Sequence, residues 1–326
     1  MKMIWKLILM VLSFVVVLVV SLCVGEIDDM LSKLFFVGGE TLTETDILIL
    51  REIRIPRVMM AVGVGALLSM SGLVMQSVFR NPLVEPYTMG LSGGAVLGVA
   101  IAFMLGISSA VGNIGVTLMA MLGAFLTMGI ILLLRRVLHY DVNKMLLSGV
   151  MISFATSSVT VLLMSLTTRE NMSQIVMWNM GSLDITTKEM SYIVVIISVI
   201  MIVVLSFLGN EMNVLMVGES MARHVGVRID IVVPLLFILA TVMAAVSVSF
   251  VGVVAFVGMI VPHVVRHIFG YDHRVITAVT AIIGAIFMLM CDIVARVVIY
   301  PQEIPTGVMC GIVGGVMFIY LTAKSK

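Results

Sequence analysis

The sequence predicts an all-α, polytopic membrane protein with about ten transmembrane helices. Three observations carry this: the chain of 326 residues is 61% apolar and 11% charged, its mean hydropathy is +1.23, and its polar residues fall in short breaks between long apolar runs. Soluble domains are roughly 45–50% apolar and roughly 25% charged. The apolar residues suffice for about ten spans of ~20 residues each. The polar remainder supplies only loops and tails, so residues 1–326 form a single transmembrane domain.

Apolar length and punctuation place the spans at 4–24, 56–78, 87–106, 112–135, 144–167, 190–208, 229–249, 252–268, 275–299 and 304–323. Lys2 and Lys6 precede the first, as in a signal peptide. It is long for one, however, and Ser21-Leu22-Cys23-Val24-Gly25 is a poor cleavage site, so it reads as a retained span. The second span opens on Arg54-Ile55-Pro56-Arg57 and ends at Arg80-Asn81-Pro82-Leu83-Val84-Glu85-Pro86. Two prolines four apart lack amide hydrogens, so the chain turns there. Glycines 63, 65, 72, 90, 93, 94 and 98 on either side of that turn permit close helix contact. The eighth span is short and broken by Pro262 near its end. Cys23, Cys291 and Cys310 lie in or beside apolar stretches without metal-ligand spacing and read as packing residues.

Lys and Arg in the connections set the orientation. With the N-terminus cytoplasmic, the inside collects Lys2, Lys6, Arg80, Arg135, Arg136, Lys144, Arg223, Arg228, Arg266, Arg274, Lys324 and Lys326, against Lys33, Arg51, Arg54, Arg57, Arg169, Lys188 and Arg296 outside. That bias favours both termini inside a plasma membrane. Glu26, Asp28, Asp29, Glu40, Glu44, Asp46 and Glu52 make the first outer loop acidic, and Glu170, Asp184, Glu189, Asp292 and Glu303 lie at or near the same face. Against them Arg54, Arg57 and Arg296 stand out, with two readings open: arginines snorkelling into headgroups, or docking points for an acidic protein surface. Asp292 and Arg296, four apart on a helix, share a face and can pair, either structurally or to hold a functional Arg296. Glu303, between Pro301 and Pro305, reads as a cap of the last helix or as part of the same face.

The longest inside connection, residues 209–228, is too polar to span but is not composed like a linker. It predicts a short helical pair, with Leu215, Met216, Met221 and Val225 on one side and Glu219 and Arg223 at i, i+4 on the wet side. Such a shelf meets either a partner or the lipid interface. His263, His267 and His273 lack an H-E-x-x-H signature or a nearby Cys, which favours caps and interface contacts over a metal site.

Taken in order, these stretches resemble the FecCD or BtuC-like family, the iron-siderophore, haem and cobalamin permeases of bacterial ABC importers. The resemblance rests on Arg54-Ile-Pro-Arg57; Gly65-Ala66 through Gly72 and Gln76; Asn81-Pro82-Leu83 with Glu85-Pro86; and Gly90-Leu-Ser-Gly-Gly94. It continues through Trp178 with Gly181-Ser182; Asn213 to Gly226-Val227; Phe256 to Pro262-His263 with Arg266; Asp272-His273-Arg274; Asp292 with Ala295-Arg296; and Glu303-Ile-Pro305 with Gly307. It covers nearly the whole chain from about residue 50. Gly315-Val316 departs from the family's Gly-Ala-Pro.

The resemblance implies a type II ABC importer permease fold, a second permease subunit of the same or a homologous chain, two separate ATP-binding subunits and an extracytoplasmic substrate-binding protein. It implies that Arg54, Arg57 and Arg296 receive acids of the binding protein. It implies that Asn213, Leu215, Gly218, Glu219, Ala222, Arg223 and Gly226 couple to the ATPase. The cytoplasmic gate falls at Asn81 and Leu83, with Val142 and Asn143 matched by position only. The implied function is translocation of an iron complex, a ferric siderophore or haem, with cobalamin as the alternative cargo.

The chain has no G-x-x-x-x-G-K-S/T, so ATP and Mg would be bound by the partner ATPase and this chain needs no cofactor or metal of its own. A proton- or sodium-coupled secondary carrier is the rival from another class. It would hold ionisable groups at mid-membrane, where acids are nearly absent here. An intramembrane enzyme is disfavoured, since paired acids, G-x-S-x-G and H-E-x-x-H are all missing.

Overall fold

The computed structural model describes residues 2–24, 43–137, 142–184, 186–299 and 301–324, and every regular element among them is a helix. The long ones are α1 (Lys2–Cys23), α3 (Ile55–Phe79), α6 (Asn113–Val137), α7 (Val142–Leu166), α9 (Lys188–Phe207), α12 (Ile229–Val251), α14 (His273–Val297) and α15 (Thr306–Lys324). Between them lie α2 (Glu44–Ile49), α4 (Leu91–Met104), α5 (Ile107–Val111), α8 (Arg169–Met180), α10 (Gly209–Val217), α11 (Glu219–His224) and α13 (Val257–Phe269). Seven helical runs are long and apolar enough to cross a bilayer, and three shorter apolar helices, Leu91–Met104, Val257–Phe269 and Thr306–Tyr320, bring the set to the ten expected. The chain is a multi-pass membrane protein.

The second span starts earlier than its sequence suggests. Thr43 and Asp46 form a reciprocal cap on α2, and the helix then runs without a break from Glu44 to Phe79, 36 residues. A π turn at Leu50–Arg54 makes this possible: the Ile55 amide bonds back to Leu50, shifting the ladder just before Pro56, which has no amide to offer. Arg54 and Arg57 are therefore inside a continuous helix, not at its mouth.

This run is the axis of the molecule, with 89% of its apolar window buried, whereas α6, α7 and α9 turn Leu122, Leu126, Phe154, Ile196 and Val203 outward, as lipid-facing helices do. Small residues let neighbours approach the axis. A methyl group on Gly72 would run into the Gly258 carbonyl, and one on Gly65 into Gly284, so α13 and α14 pack backbone to backbone on α3.

Pro262 does not break its helix. The carbonyl that its missing amide would have served, Gly258, accepts the Gln76 Nε2 at 3.2 Å instead, and the same nitrogen reaches the Met259 carbonyl at 3.1 Å. What shortens this span is its entry, where residues 252–255 are not helical and Phe256 takes a left-handed φ of 71°. Glu85, 8% exposed, folds back from the Arg80–Pro86 turn and places its carboxylate at the first amides of α13, those of Phe256 and Met259.

Helix direction separates two ends. Lys6 Nζ donates to the Ile268 carbonyl at 2.6 Å, and Arg296 Nη1 donates to the Val24 carbonyl, so α1 runs parallel to α14. Thr306, which opens α15, sits 3.3 Å from Asp292, and α15 returns the other way. The start of α1 and the end of α15 thus share one end with α10 and α11, while Arg57 and Arg296 lie at the other.

Candidate functional site: an arginine end and a shelf end

At the arginine end, α3 and α14 are locked by charge. Arg57 Nε donates to Asp292 Oδ1 at 3.0 Å and Nη2 lies 2.9 Å from the same oxygen. Its Nη1 reaches Asp184, in the α8–α9 connection, at 2.8 Å and Glu303, before α15, at 2.7 Å. Arg296 Nη2 lies 3.0 Å from Asp292 Oδ2, an ion contact whose angle falls short of a hydrogen bond, and the same nitrogen donates to the Ser21 carbonyl and hydroxyl at 3.1 and 3.0 Å. Arg54 Nη1 donates to the Leu22 carbonyl at 2.6 Å. Two guanidiniums, Arg57 and Arg296, thus meet three carboxylates, one of them fully buried, which is how charges become tolerable in a low-dielectric setting. Burial pushes the Glu303 carboxyl up from its ordinary value, with Arg57 pulling the other way.

The three arginines expected on the surface are consequently buried, at 6%, 9% and 7% exposure for Arg54, Arg57 and Arg296. The Asp292–Arg296 pair forms as the four-residue spacing suggested. Glu303, expected as a cap or as part of this face, holds Arg57. Sequence reasoning missed that Arg57, Asp184 and Glu303 meet; the available signal was that all three fall on the same side when the spans are counted. The outer-loop acids Glu26, Asp28, Asp29 and Glu40 lie outside the described residues.

Asp184 and Glu303 also rim a cavity of about 790 Å³. Phe103, Trp178 and Phe250 give it aromatic walls, and Asn113 and Gln174 add neutral hydrogen-bonding groups. Among the described residues, no Lys, Arg or His lines it. That volume is within the roughly 300–1,000 Å³ typical of small-molecule sites.

At the shelf end, the helical pair expected over residues 209–228 is present as α10 and α11, hinged at Gly218 with φ 135°. Its faces differ from the sequence reading. Met212, Leu215 and Ala222 are the buried side, whereas Met221 and Val225 are 50% and 60% exposed and Val217 is 71% exposed. A short helical pair can bury only what faces the bundle, and the kink at Gly218 rotates α11 away from the stripe set by α10. Arg223 forks onto Asp230 of α12, with both bonds at 3.1 Å. The backbone of Glu219 opens α11, but its side chain is outside the described residues. Gly226 follows α11 with φ 93° in open space.

Asn213 turns inward. Its amide donates to Asp272 Oδ1 at 2.8 Å and its carbonyl oxygen accepts the His273 backbone amide and faces His273 Nδ1, both at 2.8 Å. His273 Nε2 lies 2.8 Å from the Ser77 hydroxyl of α3. With its proton on Nδ1 the neutral imidazole donates to Asn213, and its Nε2 accepts when the Ser77 hydroxyl proton turns to it from the Leu73 carbonyl, 2.7 Å away. Arg274 and Asn213 hold the Asp272 carboxyl well below the usual carboxylate range. The shelf is thereby tied to α14 and α3, the two helices that Arg57 and Asp292 join at the far end. The separation from His273 to Arg296 is about 35 Å at 1.5 Å per residue.

Of the residues expected at a cytoplasmic gate, Asn81 and Leu83 lie in the turn that follows α3. Asn81 Oδ1 accepts the Leu83 amide at 2.9 Å, a local turn that leaves Leu83 51% exposed. Val142 and Asn143 open α7, and their side chains are outside the described residues.

An all-helical membrane unit with an internal ion cluster at one end, a partly exposed helical shelf at the other and a cavity between helices has the organisation of a transport permease. Residues 12–324 match the FecCD transport family, and the chain belongs to it. It is 33% identical over 294 residues to an iron chelatin transport system permease protein of Helicobacter pylori, covering 90% of this chain and 88% of that one. It is also 33% identical over 320 residues to a vitamin B12 import system permease protein of Salmonella arizonae, covering 97% and 94%. Among solved structures it is similar to a metal-chelate-type ABC transporter in an inward-facing conformation, with a TM-score of 0.87 at 27% identity, covering 98% of this chain and 99% of the other.

Proposed function

We propose that this ABC permease imports a ferric chelate, a siderophore complex or haem, working as half of a dimer with two ATPase subunits and an extracytoplasmic binding protein. The observation that carries the reading is the clamping of α3 and α14 at both ends: Arg57–Asp292 at one and Ser77–His273–Asn213 at the other. A pair of rods held to the shelf and to the cavity rim can transmit a push on one into a displacement of the other. ATP and Mg would be held by the partner subunits, whose closure presses on the exposed Val217, Met221, Val225 and Gly226. Asn213, Leu215 and Ala222 then act from beneath, fixing the shelf to the bundle, with Gly218 as hinge and with Glu219 and Arg223 beside it.

In this reading both termini and the shelf face the cytoplasm, the side favoured by the Lys and Arg bias. The binding protein docks over the arginine end. Because Arg54, Arg57 and Arg296 are already engaged, its acidic residues would compete with Asp184 and Glu303 for Arg57, loosening the rim of the cavity as they dock. Release to the cytoplasm passes Asn81, Leu83, Val142 and Asn143. With Asp184 and Glu303 engaged by Arg57 and no basic residue among the described lining residues, the cavity suits a neutral complex better than a polyanion. Cobalamin, the cargo named for the Salmonella relative, is the second reading, and the aromatic walls of the same cavity suit it.

The test is uptake of radiolabelled ferric trishydroxamate into liposomes holding the permease with its ATPase and binding protein. Uptake that needs ATP and both partners is the expected result; uptake driven by an ion gradient alone would refute the proposal. Competition by cobalamin at stoichiometric binding protein would move the cargo to the second reading.

A further inference from the structure

The shelf end holds a second cavity, of about 240 Å³, where the Asn81–Pro82 turn meets α13 and Met216 of α10. Arg80, His263, Arg266 and His267 line it, and no Asp or Glu does among the described residues. Arg266 is 8% exposed, on the inner side of α13. Its Nη1 donates to Gln76 Oε1 at 2.5 Å, while Nε and Nη2 are buried with no hydrogen-bond partner among the described residues.

An unpaired buried charge is costly, and elsewhere in this chain buried guanidiniums are matched to carboxylates or carbonyls. The orphaned atoms are also a particular pair: Nε and Nη2 form one edge of the guanidinium, with two parallel donors spaced for two oxygens of one oxyanion. Arg80 adds a second guanidinium at the mouth. It sits at a left-handed φ of 50°, and its Nη1 lies beside Gly218, 3.6 Å from where a side chain there would begin.

We propose that this cavity binds a phosphate-class oxyanion, with the free edge of Arg266 at its floor and Arg80, His263 and His267 around it. The bound anion cross-links α13 to the residue that leans on the shelf hinge, so its occupancy sets how firmly the shelf is seated. The phosphate comes from solution or from the headgroup of an anionic lipid, and the two sources separate experimentally.

The test uses the full-length permease, delipidated in dodecyl maltoside, with its thermal unfolding midpoint as readout. Inorganic phosphate titrated at constant ionic strength is expected to raise the midpoint saturably, on the order of 5 °C, where matched chloride does not. If the headgroup is the source, added phosphatidylglycerol produces the rise at lower concentration and phosphate then adds nothing. Arg266→Gln abolishes either response, and without anion it is at least as stable as the wild type, because an unpaired charge has been removed. Should that variant fail to fold, Arg80→Gln and His267→Gln, both at exposed side chains, are each expected to weaken the apparent affinity roughly tenfold. Equal midpoints in phosphate, phosphatidylglycerol and chloride, or an unchanged response in Arg266→Gln or in both exposed variants, would overturn the assignment.

Discussion

Arg57 shows how one side chain gathers distant parts of the chain: its guanidinium touches Asp184, Asp292 and Glu303, which come from three different connections or helices. Replacing it with Gln leaves Asp292, at 0% exposure, short of half its compensation, so the permease should lose on the order of 3–5 kcal/mol. The thermal midpoint of purified protein measures this, and an unmoved midpoint would mean that the cluster contributes nothing to stability. Glu85 makes a prediction with pH. Burial raises its pKa from 4.5 to about 7, against the pull of the Phe256 and Met259 amides. A carboxyl raised on folding holds its proton more tightly in the native state, so its stabilisation is full below the unfolded value and is lost as pH climbs towards 7. The wild type should therefore lose stability relative to Glu85→Gln between pH 5 and 8, by roughly 3 kcal/mol. Parallel midpoint curves for the two proteins would rule the effect out. Asp292 with Arg296 was legible from spacing alone, because a helix brings i and i+4 together whatever surrounds it. The part played by Asp184 was not, because Asp184 and Arg57 are neighbours only after the α8–α9 connection has folded over α3.

Among elements, α3 and α14 matter most, since their contact is made by backbone at Gly65 and Gly284 and leaves no slack. Gly72→Ala puts a methyl group into the Gly258 carbonyl on α13, with no side chain able to move aside. Overpacking of this sort costs typically 1–3 kcal/mol, and a backbone obstacle places it at the upper end. Loss of folded permease in a detergent-stability assay is expected, and normal yield and midpoint would contradict the close approach. The shelf gives a functional counterpart. Ala222 is 0% exposed beneath α11, so Ala222→Leu lifts that helix, and Gly218→Ala strains a φ of 135°. Both should leave ATP hydrolysis by the assembled complex running while uptake falls several-fold; tightly coupled hydrolysis in both variants would remove the shelf from the transmission. The sequence foretold that this connection is a helical pair but misassigned its outer face, because period alone does not reveal the turn introduced at Gly218. The continuity of the second span through Pro56 was equally hidden. A π turn leaves no mark in hydropathy, and it is what lets a proline sit in an unbroken run.

For the whole molecule, the arrangement of two opposite working ends predicts a transporter that is powered from outside its own chain. In reconstituted liposomes, removing ATP should abolish uptake, while collapsing proton and sodium gradients should not alter its initial rate; the reverse pattern would make the chain a secondary carrier. What the sequence by itself determined is the membrane class, the number of apolar segments, the all-helical fold and the position of the polar breaks. Each of these follows from local composition, since a segment in hydrocarbon must satisfy its own backbone hydrogen bonds and therefore becomes a helix wherever it is apolar and long enough. The tertiary structure alone decided that the arginines point inward, that α13 begins part-way in with Glu85 at its head, that Gln76 serves the carbonyl freed by Pro262, and that one guanidinium edge of Arg266 meets no hydrogen-bond partner among the described residues. Those facts depend on residues as much as 246 positions apart, as Arg57 and Glu303 are, and only the packing of helices against one another brings such groups within bonding distance.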